Sequence, residues 1–166
     1  MDLTCAEAHK VLFSFLNREL AVQEFEKWLY EHDELERCVP SGAYRDLLSI
    51  NYKGKYAYED ACGVIRQIID VGVCEQERIK DLLGAFIADE SGIAELAERI
   101  YREHCAGCWF LEKIADAFIT TADYDEFRIY GNRERLLAQR AALVREARHI
   151  MDLMDQGAIR MTDIRE

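Results

Sequence analysis

A single proline, Pro40, in 166 residues limits this chain more than any other feature. Proline ends helices more reliably than any other residue, and only nine glycines add to the possible breaks. Apolar side chains recur at the 3.6-residue period through most of the sequence, and no strand-like alternation of useful length interrupts them. The expected fold is all-α, a single compact bundle of about seven or eight helices with a long C-terminal helix, forming one domain over residues 1–166. A chain of this length can bury a core without disulfide or metal support.

The pattern places the helices. Thr4 and Glu7 have the spacing of a capping box and open a helix that buries Ala8, Val11, Leu12 and Phe15. A second helix, roughly 21–32, carries Val22, Phe25, Trp28 and Leu29 on one stripe. Pro40 and Gly42 then interrupt, and Ser41 is the expected cap of a short helix with Tyr44, Leu47 and Leu48. Helices over about 56–71 and 75–89 follow, with Gly72 as the C-terminal cap of the first. The next, from Ile93 to about Ala106, is expected to bury Ile100 and Cys105, and Gly107 bends or ends it before a helix over 109–120. Residues 121–125 read as a loop or cap. The longest helix runs from near Asn132 to Gln156, stopped by Gly157. Its two heptads (Leu136, Leu143 and Ile150, beside Leu137, Val144 and Met151) are too few for a coiled coil. Ile159, Met161 and Ile164 in the tail receive no assigned element.

Charge bears on partners. The net charge is −11, and residues 1–126 carry 26 acidic against 13 basic side chains, whereas residues 127–166 carry 6 against 8. An acidic body repels nucleic-acid backbones and anionic membrane surfaces, and steers basic proteins toward itself. The expected partner is therefore a protein, with neither nucleic acid nor membrane. No apolar run approaches the roughly 20 residues of a membrane span. The acidic start, Met1 to Glu7, lacks the basic and apolar regions of a secretory signal, so the expected location is cytoplasmic. With no export signal, the six scattered cysteines are expected to be reduced thiols serving as small hydrophobes.

Cys105 and Cys108 are the one cysteine pair at metal-ligand spacing, with His104 beside them. A structural zinc site needs four ligands, usually two such pairs, and there is no second pair. The haem, zinc-deaminase and thioredoxin-like patterns each want neighbours that this segment lacks. Helix-end packing is the preferred reading, and no metal or cofactor is expected. Glu146 and His149 form one Glu-x-x-His, where di-iron bundles use two, so a solvated helix face is expected. Arg133, Arg135, Arg140, Arg145 and Arg148 interleave with Leu, Ala and Val rather than base-stacking aromatics, and are expected to pair with acidic neighbours. No nucleophile elbow, phosphate-cradling loop or His-Glu-x-x-His occurs, and the expectation is a protein that is not an enzyme. The acidic segments that remain hold tyrosines: Tyr30 with Asp33, Glu34 and Glu36, and Tyr124 with Asp123, Asp125 and Glu126. Acid plus tyrosine suits contact with a basic protein.

Leu20-Ala-Val-Gln-Glu-Phe-Glu-Lys-Trp-Leu-Tyr30, with Leu35-Glu and Tyr44-Arg-Asp-Leu-Leu-Ser-Ile-Asn-Tyr52, forms one group of segments; Ile100-Tyr101 with Cys108-Trp-Phe-Leu-Glu112 forms another. Together they resemble small helical bacterial proteins of unassigned biochemistry that are often proposed as immunity proteins of polymorphic toxin systems. The resemblance covers about two-thirds of the chain and rests mostly on structural aromatics. It implies a protein that neutralises a cognate toxin by tight binding, and it brings no catalytic residues. The leading expectation is an acidic, non-enzymatic inhibitor that occludes a toxin, a basic nuclease or a pore former, through the two acid-aromatic segments. The alternatives are a metal- or thiol-dependent protein using Cys105 and Cys108, and a helical scaffold subunit.

Overall fold

The computed structural model describes residues 2–161, and Ile164 lies outside them. Among the described residues the architecture is all-helical, with one two-stranded ribbon of two residues per strand. The elements are α1 (Cys5–Leu16), α2 (Val22–Glu31), a 3-10 helix (Asp33–Cys38), α3 (Ala43–Leu48), α4 (Ala57–Ile68), α5 (Val71–Ala88) and α6 (Ile93–Cys105). A 3-10 turn (Trp109–Leu111) leads into α7 (Glu112–Thr121), then strands β1 (Asp123–Tyr124) and β2 (Ile129–Tyr130), and finally the long α8 (Arg133–Asp155). Two compact units divide the chain within α5, the first ending at Cys74 and the second beginning at Glu75. No helix among the described residues is long and apolar enough to cross a membrane.

The first unit begins as its sequence predicts. The Thr4 hydroxyl accepts from Glu7 N at 3.2 Å and Glu7 Oε2 accepts from Thr4 N at 2.9 Å, closing the capping box. Leu12, Phe15, Phe25, Leu29, Leu35, Leu47 and Ile65 are fully buried. Phe15 stacks on Phe25 with ring centroids 4.3 Å apart. Each such side chain contributes about 1.5–3 kcal/mol through the area withdrawn from water. Two tyrosine hydroxyls that enter this core are satisfied. Tyr52 donates its hydroxyl to Leu47 O at 2.7 Å, and Tyr58 donates to Leu16 O at 2.6 Å.

Three expectations for this unit are corrected. Gly42, not Ser41, holds the N-cap position of α3, because the chain turns back after Pro40 with Ala43 N donating to Pro40 O at 3.0 Å. Gly72 does not cap α4. That helix stops at Ile68, and Asp70 Oδ1 accepts from Val73 N at 3.2 Å, starting α5 early enough to enclose Gly72. Cys5 and Cys38 are not reduced thiols: they form a disulfide with Cα atoms 5.0 Å apart, joining the start of α1 to the end of the 3-10 helix. Their 33-residue separation hid the pair from any local pattern.

In the second unit, Leu83, Phe86, Ile93, Ile100, Phe118, Leu136 and Ala147 meet in one cluster drawn from α5, α6, α7 and α8. Arg78 on α5 bridges Glu75, 2.8 Å away, and Glu103 on α6, 2.5 Å away. α6 ends where Gly107 takes φ 119°, a left-handed conformation that costs a glycine little. That reversal corrects the placement of Cys105, which is exposed on the last turn, and it sends Cys108 into the core. Trp109 opens a 3-10 turn rather than the helix itself, and α7 begins at Glu112. Asn132 caps α8, its Oδ1 accepting from Arg135 N at 3.1 Å.

Candidate functional site

Of residues 121–125, expected as a loop or cap, Thr121 ends α7 and Ala122 caps it, whereas Asp123 and Tyr124 form the first strand of a short hairpin. Asp123 pairs with Tyr130, and Tyr124 with Ile129, in antiparallel register. A ladder this short is not self-supporting, and Asp125 supplies the missing order. Its Oδ1 accepts from Phe127 N at 2.8 Å and Arg128 N at 2.6 Å, its own N–H donates to Arg128 O at 3.0 Å, and the Tyr130 hydroxyl donates to its Oδ2. The Tyr130 bond first, then the Phe127 and Arg128 amides, hold the Asp125 carboxyl below its ordinary range. The same bond raises Tyr130, because losing the phenol proton would set two anions face to face.

The hairpin is tied down on both sides. Asn132 Nδ2 donates to Asp123 Oδ2 at 2.8 Å, so the residue that caps α8 also fixes β1. Arg128 Nη2 donates to Glu98 Oε2 on α6 at 3.0 Å, and Arg102 Nη2 donates to the other oxygen at 2.7 Å. Between the hairpin and the helices lies an open cleft of about 480 Å³. Tyr101, Phe118, Phe127 and Ile129 give it apolar walls, and Glu98 with its two arginines forms a polar rim. The Tyr101 and Phe118 rings lie 5.2 Å apart.

The hairpin offers three aromatic side chains to solvent. Phe127 is 93% exposed, Tyr124 63% and Tyr130 42%. Of the acidic residues picked out by sequence here, Asp125 accepts hydrogen bonds within the hairpin and Asp123 accepts from Asn132 at the start of α8, and all of 123–126 are exposed. Charge and tyrosine content point to residues 123–126 and not to Arg128 and Tyr130, which complete the hairpin. Asp125 as a turn-opening residue, followed by the β-prone Ile129 and Tyr130, was the available signal.

The other sequence-predicted segment belongs to the first unit. Tyr30, at the end of α2, is exposed and donates to Glu26 Oε1 at 3.3 Å. Asp33 and Glu36 on the 3-10 helix are exposed. Glu34 is half-buried, and its Oε2 is buried without a hydrogen bond among the described residues. Burial first, then the fields of Asp33, Glu36 and Glu34, push the Tyr44 hydroxyl above its ordinary value.

The remaining candidates come apart. Cys105 is exposed while Cys108 belongs to the core, and His104 Nδ1 lies 3.3 Å from Cys108 O. Glu146 meets Lys113 at 3.4 Å, and His149 is exposed. Arg140 donates to Ile87 O at 2.8 Å, a carbonyl rather than the expected acidic neighbour. No group of three or more His, Cys, Asp or Glu among the described residues is arranged to hold a metal ion. Comparison of the chain with protein-family models, with curated proteins and with solved structures finds no match in any of the three.

Proposed function

We propose that this protein is a non-enzymatic binding module that occludes a protein partner, in the manner of an immunity-type inhibitor of a toxin. The observation that carries the reading is Phe127, 93% exposed at the tip of a hairpin whose turn is fixed by Asp125. A large apolar side chain held out in water on an ordered turn is a pre-organised anchor, and little ordering cost is left for binding to meet. Covering Phe127 in a partner's pocket is worth about 1.5–3 kcal/mol. Tyr124 and Tyr130 flank it with surfaces that are apolar in body and polar at the tip.

Charge supplies the second element. The chain carries −11, and Asp33 and Glu36 are exposed on the 3-10 helix with Tyr30 at the end of the preceding α2. A basic toxin domain would be steered toward such a surface, and salt would slow its approach. The mechanism is steric and electrostatic occlusion, with no chemical step.

The test is capture of the products of neighbouring genes with this protein as bait, together with rescue of growth when the captured product is expressed. Capture of a toxic neighbour, rescue by the wild type and weakening of both with Phe127→Ala is the expected outcome. Absence of both capture and rescue by the wild-type protein overturns the reading.

A further inference from the structure

We infer that the Cys5–Cys38 disulfide is a thiol–disulfide exchange site whose state sets the order of the acidic 3-10 segment, so that a dithiol reductant governs how Asp33 and Glu36 are presented. That these residues then meet a partner rests on the function proposed above. The link between disulfide and local order does not.

The segment Asp33–Cys38 is six residues of 3-10 helix, longer than the three or four that this geometry usually sustains. It also works against itself. Asp33, Glu34 and Glu36 are like charges within four residues, and the buried Glu34 Oε2 accepts no hydrogen bond among the described residues. Contacts along its length hold the segment in place. Leu35 is fully buried, the His9 Nε2–H donates to Cys38 O at 3.0 Å, and the disulfide ties Cys38 to the first residue of α1. Leu35 secures the middle of the segment. Its C-terminal end is held by the disulfide, by one hydrogen bond to the carbonyl of the same cysteine and by the packing of Cys38 against the core.

The bond can be reached. Cys5 is exposed and Cys38 half-buried, so an incoming thiolate meets Cys5 Sγ. Attack there by one sulfur of a dithiol breaks the Cys5–Cys38 bond and releases Cys38 as a thiolate, leaving a mixed disulfide on Cys5. The second sulfur of the reductant then closes on the first and expels Cys5 as a thiolate. The protein gains two electrons and, once both thiolates are protonated, two protons, and the dithiol leaves as a cyclic disulfide. Freed at Cys38, the charged end of the segment unwinds while Leu35 keeps its middle in the core.

The experiment uses the full chain and dithiothreitol as the probe. Alkylation under denaturing conditions, read by intact mass, is expected to give four adducts on the protein as isolated without reductant and six after dithiothreitol. Amide hydrogen exchange of the two forms is expected to differ at least tenfold over residues 36–38 and to agree over α6, α7 and α8. Cys5→Ala, which removes an exposed side chain, should exchange like the reduced wild type. Six adducts before reduction overturn the inference. So do equal exchange rates in the two forms, or an acceleration spread over all of α1 to α4, which would make the bond a general staple. If these contrasts hold and no partner is captured, the proposed function fails and the exchange site stands.

Discussion

Gly131 passes so close to Ala94 that a Cβ on the glycine would lie 2.9 Å from the Ala94 carbonyl oxygen and 3.1 Å from its Cα. The neighbour is helix backbone and cannot swing aside as a flexible side chain would. The chain leaves β2 over α6 at Gly131 and enters α8 after one further residue, Asn132, so this approach sets where the hairpin lies on the second unit. Gly131→Ala must lift the hairpin or strain α6, and overpacking of this kind costs about 1–3 kcal/mol. A lowered melting temperature together with altered chemical shifts at Tyr124 and Arg128 is the expected result. An unchanged melt with unchanged hairpin shifts would show that the approach is slack.

The Asp125 turn gives the hairpin a pH dependence of determined sign. Its carboxyl titrates below the unfolded value, chiefly through the Tyr130 bond and then the Phe127 and Arg128 amides. Such a group contributes fully above the unfolded value of about 3.9, and its contribution is lost as pH falls through the lower folded value. The Phe127 and Arg128 amides should therefore stay protected from pH 7 to about pH 4 and open below that. Asp125→Asn keeps an acceptor but not the charge and should flatten the profile. Protection already lost at pH 5 would contradict this account.

Arg78 offers a test in the interior of the second unit. It meets Glu75, whose side chain is 4% exposed, and Glu103, at 21%. Arg78→Met removes the cation and leaves a buried carboxylate facing another. Breaking a buried pair from one side costs about 3–5 kcal/mol; since a third of Arg78 is exposed, solvent screening brings the expectation to about 2–3 kcal/mol. Urea unfolding should report it. Restoring most of the loss with Arg78→Met, Glu75→Gln would identify the buried Glu75 charge as the cause.

The helical periodicity of the apolar residues carried most of the fold. Phe25, Leu29, Ile65, Phe86 and Leu136 reach the core because their spacing forces them onto one face, and Thr4 caps α1 as its side-chain chemistry requires. The hairpin escaped because two residues per strand are too few to display an alternating pattern, and its order comes from one carboxylate in the turn. The disulfide escaped for the opposite reason: partners 33 residues apart are brought together by packing, which no local window records. Cys105 misled because a helical stripe says nothing about where the helix stops, and α6 ends at that residue. The acidic loop around Tyr124 was found as composition. What that composition does, with Asp125 organising the turn and Phe127 left in water, depends on hydrogen bonds between residues two to five apart.

Phe127 and Phe118 face the same cleft and should separate contact from folding. Phe127 is almost wholly exposed, and its replacement by alanine should change stability by no more than about 0.5 kcal/mol. Phe118 is buried at 1% exposure against Tyr101, and its truncation should cost about 3–5 kcal/mol. Once a partner is in hand, Phe127→Ala should weaken its capture by roughly 10- to 100-fold, the equivalent of losing the burial of one phenylalanine. The loss should lie in faster dissociation, since an aromatic anchor holds a complex that charge has already assembled. Charge reversal at Asp33 and Glu36 should instead slow association and change its salt dependence. Capture unaffected by Phe127→Ala, with the melt unchanged, would move the contact off the hairpin and onto the acidic 3-10 segment.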